Sequence, residues 1–293
     1  MLLYKKINKR GIKMLEVLLD TLVDSLKILP FLFITYLIME YIEHKMTNKT
    51  KSIIKNSGKF GPLVGAVAGA FPQCGFSVSA TNLYAGRVIT LGTLFAVYLS
   101  TSDEMIPILL SESVSIWVIL KILAIKILIG IIAGFIIDFV IRKKEKSEKI
   151  SDICEHEHCH CENGILKSTI KHTINILIFI IIVSFILNTV IFFVGEETLA
   201  GLMLDKPILG PIVAGLIGLI PNCASSVILT ELYLTGVITV ATMIGGLLVG
   251  AGVGLIVLFK VNNNLKENIK ITSVLYIIGV ISAIFLNLIN LKV

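Results

Sequence analysis

Charge is scarce in this 293-residue chain. Only 16% of its residues are Asp, Glu, Lys or Arg, against 55% hydrophobic, and mean hydropathy is +0.92. That ratio cannot cover a water-facing surface, which excludes a soluble globular protein. The chain also lacks a G-x-x-x-x-G-K-[ST] phosphate loop, any kinase or hydrolase signature and a second soluble domain, so it is not expected to hydrolyse ATP or to be an enzyme. C-x-x-C is missing as well, which leaves thiol redox catalysis without support. The five cysteines (Cys74, Cys154, Cys159, Cys161 and Cys223) are odd in number and without framework spacing, so no disulfide scaffold is expected. Net charge is +6, but no basic stripe alternates with aromatics. Its simplest source is Lys-rich loops facing anionic lipid, and no nucleic-acid partner is expected. Lys5, Lys6, Lys9, Arg10 and Lys13 are followed by Glu16, Asp20 and Asp24 without a small-residue cleavage site. A cleaved signal peptide is therefore not expected, and Met14 is as acceptable a start as Met1.

What is present is hydrocarbon. Runs long enough to cross a core of ~30 Å, roughly 20 residues, recur at Leu26–Ile42, Val88–Leu110, Ile116–Ile141, Ile174–Val194, Val237–Phe259 and Ile271–Leu291. The chain reads as an all-α, polytopic protein of the cell membrane with the lipid bilayer as its solvent. Gly61–Gly86 and Gly210–Gly236 are apolar too, but punctured by Pro and Gly.

Those two stretches repeat one another. FPQCGFSV, Phe71 to Val78, returns 149 positions later as IPNCASSV, Ile220 to Val227. Laying 61–90 on 210–239 matches Gly61/Gly210, Pro62/Pro211, Pro72/Pro221, Cys74/Cys223, Ser77/Ser226, Thr81/Thr230 and Tyr84/Tyr233, among others. Shared hydrophobicity does not duplicate Pro and Cys. We read two homologous transmembrane repeats, 1–141 and 168–293, joined by a cytosolic linker, 142–167. If the Pro-broken segment is a helical hairpin, each repeat crosses an odd number of times and the two are inverted, as in many secondary transporters. If it is a single crossing, they are parallel. Basic loops at 43–59 and 142–149 and acidic ones at 111–113 and 195–205 favour inversion, with the N-terminus placed outside despite its lysines.

Pro72 and Pro221 lack the N–H and clash with the preceding turn, so they are expected to act as helix-breaking hinges deep in the apolar body. Backbone freed there must be buried in protein or line a polar cavity. Cys74 and Cys223 then fall in the first turn of a new half-helix, where the positive dipole end favours thiolate. Cys74, Ser77 and Thr81 share a face at i, i+3, i+7, as do Cys223, Ser226 and Thr230. With Gln73 and Asn222 they form the candidate substrate site, the two faces meeting near the midplane. Thiolates suit As(III), Zn(II), Cd(II) or Cu(I). The plain alternative is that these are small groups serving helix packing. Asp20, Asp24, His172, Asp103, Glu104 and Glu231 are candidates for ion coupling, or else solvated helix ends. Lys121 and Lys126 are expected to snorkel or to neutralise a carboxylate such as Asp138.

The linker packs Cys154, His156, His158, Cys159, His160 and Cys161 with three glutamates into nine residues. Such tracts bind transition metals, although the spacing is not that of a zinc finger. A metal-sensing or delivery loop and a dispensable polar linker both fit; no cofactor is expected to be required, and the 154–162 loop is a candidate site for a transition-metal ion.

At DTLVDSLKILPFLFITYLIMEYIEH, FPQCGFSVSATNLYAGRVITLGTLFAVYLSTSDE, IPNCASSVILTELYLTGVITVATMIGGLLVGAG and the His-rich central loop, the chain resembles the bacterial and archaeal ten-helix heavy-metal exporters, variously called arsenic efflux proteins or manganese transporters. The resemblance runs from about Leu15 to the C-terminus. It implies ten helical segments and a transported metal or metalloid. The two labels differ chemically. Manganese wants oxygen, from Asp103, Glu104, Glu231, Gln73 and Asn222, while a soft metal or arsenical would use Cys74 and Cys223. The residues favour an efflux permease for a thiophilic ion, with a manganese transporter as the alternative and a membrane metal sensor or thiol enzyme as a third reading. A homodimer is an allowed assembly.

Overall fold

A computed structural model describes residues 18–37 except 20, 24, 27, 31 and 35, and residues 60–71, 74–102, 104–142, 165–194 and 208–289. Regular structure among them is entirely helical. In chain order the helices are α1 (the described residues of 18–37), α2 (Gly61–Gly69), α3 (Cys74–Ala85), α4 (Leu91–Ser100), α5 (Met105–Ser111), α6 (Ile116–Arg142), α7 (Ile165–Val194), α8 (Leu209–Gly218), α9 (Cys223–Leu234), α10 (Val240–Val249), α11 (Val253–Val261) and α12 (Leu265–Leu288). The protein is therefore a multi-pass membrane protein. Five stretches are long and apolar enough to span a bilayer: Leu91–Ser111, Ile116–Ile141, Thr169–Ile186, Val240–Val261 and Leu265–Leu288.

Burial separates these five into two kinds. Val240–Val261 is 89% buried and Leu91–Ser111 71%, whereas the other three are only 28–29% buried. The first two are enclosed by protein and the others face lipid. On α7, for example, Ile170, Ile174, Ile178, Ile182 and Ile186 are exposed at every fourth position while Thr169, Thr173, Ile176 and Ile180 are buried.

Both enclosed stretches are interrupted. α4 ends at Ser100 and α5 begins at Met105; α10 ends at Val249 and α11 begins at Val253. The first break is polar, Thr101-Ser102 followed by Glu104; the second is Gly250-Ala251-Gly252, with Gly252 at φ +54°.

The caps show why the chain folds this way locally. Thr90 accepts from Thr93 N–H at 3.1 Å and donates to Asp138 Oδ2 at 2.7 Å. At the same spacing of 149 along the chain, Thr239 accepts from Thr242 N–H at 3.1 Å and donates to Asn287 Oδ1 at 2.8 Å. Each threonine satisfies an orphan donor at a helix start and ties that start to the end of the lipid-facing helix beside it. Gly92 N–H also donates to Asp138 Oδ1, at 2.8 Å.

These ties fix chain direction. The start of α4 lies beside the end of α6 through Asp138. Just before it, Tyr84 donates to Glu267 and Arg87 pairs with Glu267 at 3.8 Å, so α12 begins at that same face. α10 starts beside Asn287, at the far end of α12. Helices α4 and α10 therefore enter from opposite faces, and their C-terminal ends point inward.

Candidate functional site

The inner ends of the interrupted helices are where buried polar groups gather. Thr81 on α3 and Tyr98 on α4, both fully buried, touch through their hydroxyl oxygens at 2.5 Å. Each hydroxyl also reaches the Gly254 carbonyl on α11, at 3.2 Å in both cases, and Thr81 donates to Ser77 O at 2.7 Å. Gly254 sits directly against Ser77: a Cβ built on it would lie 2.9 Å from Ser77 Cβ and 3.1 Å from its carbonyl carbon. The absent side chain is what lets the first turn of α11 approach α3 closely enough for its carbonyl to accept. One turn along α3, buried Asn82 accepts from Tyr36 OH on α1 at 3.0 Å and donates to Val78 O at 3.1 Å.

Deeper still is Lys126 on α6, with no exposed surface. It neither snorkels nor meets Asp138. Its Nζ donates to Thr101 O, just past α4, and to Leu247 O in the last turn of α10, at 3.3 Å. Asp138 is taken by Thr90 and Gly92, about three turns away along α6. Neither snorkelling nor pairing with Asp138 therefore describes Lys126: the lysine points into the bundle, where two helix ends supply acceptors. Lys121, by contrast, is exposed and free to reach the membrane surface.

The expected substrate residues fall as follows. α3 and α9 begin at Cys74 and Cys223; the side chains of both cysteines, and Pro72 and Gln73 entirely, lie outside the described residues. Pro221 stands in the non-helical join before α9, followed by extended Asn222 (φ −150°, ψ 153°), whose carbonyl accepts from Ser225 Oγ at 2.8 Å. Asn222, Ser226 and Thr230 are buried, and Thr230 donates to Ser226 O at 2.7 Å as Thr81 does to Ser77 O. α3 packs chiefly on α11 and α4, while α9 packs on α10, α5 and α8. The Ser77–Thr81 face is thus joined to α11 of the opposite half.

Of the ion-coupling candidates, Glu104 is half-buried at the start of α5 and Glu231 is exposed on α9. Asp20, Asp24, Asp103 and the His172 side chain lie outside the described residues, as do Cys154, His156, His158, Cys159, His160 and Cys161. Among the described residues no group of three or more His, Cys, Asp or Glu side chains stands together. Reading the sequence did not single out Tyr98. Its only mark is that the position 149 later holds Leu247, a polar-to-apolar mismatch between otherwise parallel stretches.

The family model described as "Putative, 10TM heavy-metal exporter" matches residues 13–199. No curated protein and no solved structure gives a significant match to the chain.

Proposed function

The chain belongs to the ten-transmembrane heavy-metal exporter family, and on that premise we propose that it is a secondary transporter that expels a thiophilic metal or metalloid by alternating access. The observation that carries the reading is the pair of enclosed, interrupted helices α4–α5 and α10–α11, with Thr101, Ser102 and Ala251 of their breaks buried. A membrane protein keeps irregular backbone at that depth only inside protein or beside a hydrophilic path. Broken helices at the midplane are how many secondary transporters form ion and substrate sites. Two inverted repeats, 1–141 and 168–293, are the organisation we infer. Supporting it are the matching ties Thr90–Asp138 and Thr239–Asn287 and the opposed directions of α4 and α10.

In this scheme Cys74 and Cys223, opening α3 and α9, supply sulfur to the passing ion; Gln73, Asn222, Ser77, Ser226, Thr81 and Thr230 line its path. Pro72 and Pro221 act as hinges, and acidic groups, Asp103 and Glu104 first, exchange protons. The 154–162 tract would collect metal at the cytosolic entrance, with no resident cofactor needed for transport. Manganese, held by oxygen ligands on the same scaffold, remains the second reading, because the described core is rich in hydroxyls and carbonyls. The test is a metal and metalloid sensitivity panel in a transporter-deficient host with wild type, Cys74→Ser, Cys223→Ser and a deletion of 154–162. Loss of protection against arsenite or cadmium in both Cys→Ser variants is expected. Full retention in both would sink the sulfur-ligand mechanism, and selective protection against manganese would establish the second reading.

A further inference from the structure

The two halves of the chain meet along two seams, and the seams are unequal. α3 and α11 both run from the interior to the face where α6 ends and α12 starts, the first face; α9 and α5 both run to the opposite, second face. α3 packs on α11 and α9 on α5, so each seam lies between the interior and one face. In the first seam, Gly254 brings the α11 backbone against Ser77. Tyr98 OH, 3.2 Å from Gly254 O and 2.5 Å from Thr81 Oγ1, is the donor that bridges the halves, because the Thr81 proton goes to Ser77 O at 2.7 Å. At the corresponding positions, 149 residues away, the second seam has Thr230, Leu247 and Met105. All three are buried, but Thr230 donates to Ser226 O inside its own helix, at 2.7 Å, and the side chains of leucine and methionine carry no O–H or N–H.

Cover differs in the same sense. Ile28 and Leu32 of α1 and Ile176 and Ile180 of α7 pack in one cluster with Val78 of α3 and Val257 of α11, so the first helices of both halves close over the first seam. No described residue of α5 or α9 joins that cluster. Asn82, Tyr84 and Gly86, at and just past the end of α3, are buried; their counterparts Glu231, Tyr233 and Thr235 are exposed, half-buried and exposed. Arg87 also pairs with Glu267 of the other half at 3.8 Å, where the counterparts are Gly236 and Val118.

Resting on the transporter reading, we propose that the two seams are the two gates of the transport path and that this conformation is closed to the first face, with the Tyr98 hydroxyl on Gly254 O as the latch. A buried hydrogen bond between two elements must break before they part, and no water replaces it until they have. Helices that meet through apolar side chains slide past one another without that cost. The first seam is therefore the one that holds, and the second the one that yields. Unlike residues at 98 and 247, and at 254 and 105, give an otherwise symmetric plan one preferred state. Parting of the first seam releases the Ser77–Thr81 face to line the path, as the scheme above requires.

The full chain, with native cysteines changed to serine, is placed in sealed vesicles and an impermeant maleimide is added from either side. Val78→Cys reports access along the first seam and Ser226→Cys along the second. Ser226→Cys is expected to react from the second face and Val78→Cys from neither. Tyr98→Phe, which keeps the ring, should speed Val78→Cys labelling from the first face about fivefold, the factor that one hydrogen bond lends a two-state equilibrium, and slow Ser226→Cys labelling from the second. Gly254→Ala, whose Cβ would stand 2.9 Å from Ser77 Cβ, should act the same way, and Met105→Leu should change neither rate. Val78→Cys reacting from the first face as fast as Ser226→Cys from the second, with the latch intact, overturns the inference whether or not the other variants fold. So do rates indifferent to both Tyr98→Phe and Gly254→Ala, or a Met105→Leu effect as large as that of Tyr98→Phe. The unaltered chain in proteoliposomes is also given cadmium, manganese or arsenite. Flux of any of them alongside indifferent labelling overturns the latch and leaves the exporter reading standing; flux of none overturns that reading and this inference with it.

Discussion

Tyr98 joins three helices through one hydroxyl, which makes it a sensitive single atom to remove. Tyr98→Phe deletes the oxygen, and because the single Thr81 proton goes to Ser77 O at 2.7 Å, the Gly254 carbonyl loses its side-chain donor. The expected cost is about 1 kcal/mol, read as a small drop in thermal midpoint in detergent, while Tyr98→Ala opens a cavity worth about 3–5 kcal/mol. Equal losses in the two variants would mean that the ring alone matters. Arg87 tests backbone strain instead. It has φ +56°, and the matching position 149 residues on is Gly236 at φ +75°. A non-glycine residue pays roughly 1–2 kcal/mol in that region, whereas the half-exposed Arg87–Glu267 pair contributes about 0–1 kcal/mol. Arg87→Gly should therefore match wild type within about 1 kcal/mol and exceed Arg87→Ala, which loses the pair and keeps the strain. An alanine variant more stable than the glycine one contradicts this account.

Elements reveal what residue patterns did not. The starts of α3 and α9 were readable, because proline removes a donor and the next helix must begin after it; both helices begin at the repeated cysteine. The break after Val249 was not, since hydropathy counts side chains and Gly250-Ala251-Gly252 is as apolar as a helix; the break after Ser100 was marked only by the polar residues Thr101, Ser102, Asp103 and Glu104 inside an otherwise apolar run. Whether backbone is satisfied depends on neighbours, as when Lys126 donates to Thr101 O. Lys126 was misjudged for the same reason: inside an apolar run, snorkelling and burial look alike until the partner helices are in place. The α4–α6 crossing gives a test of close packing. A Cβ on Gly134 would lie 2.6 Å from Gly92 O and 2.8 Å from Pro62 Cβ, but nothing stands within 4 Å of one on Gly236. Gly134→Val should cost about 1–3 kcal/mol or more through overpacking, and Gly236→Ala only the backbone term of roughly 1–2 kcal/mol. Thermal unfolding of both variants decides, and a harmless Gly134→Val would refute the close crossing.

For the whole molecule, the directions of the helices place loops on defined faces. α6 is 27 residues long, about 40 Å, so its two ends lie on opposite faces, and the start of α12 joins the face where α6 ends. With native cysteines changed to serine, Asn263→Cys and Arg142→Cys should react with an impermeant maleimide from one side of sealed vesicles and Ser113→Cys from the other. Asn263 and Ser113 labelling from the same side would break the derived topology.

The exchange of neighbours between the halves has an assembly consequence. α3 of the first half leans on α11 of the second, and α9 of the second on α5 of the first. Neither half can complete its own interior, so during synthesis the first must wait in the membrane with an open flank for the second to arrive. The covalent link between the halves then raises the local concentration of each for the other. Two fragments cut between 142 and 165 and made together should find each other and copurify.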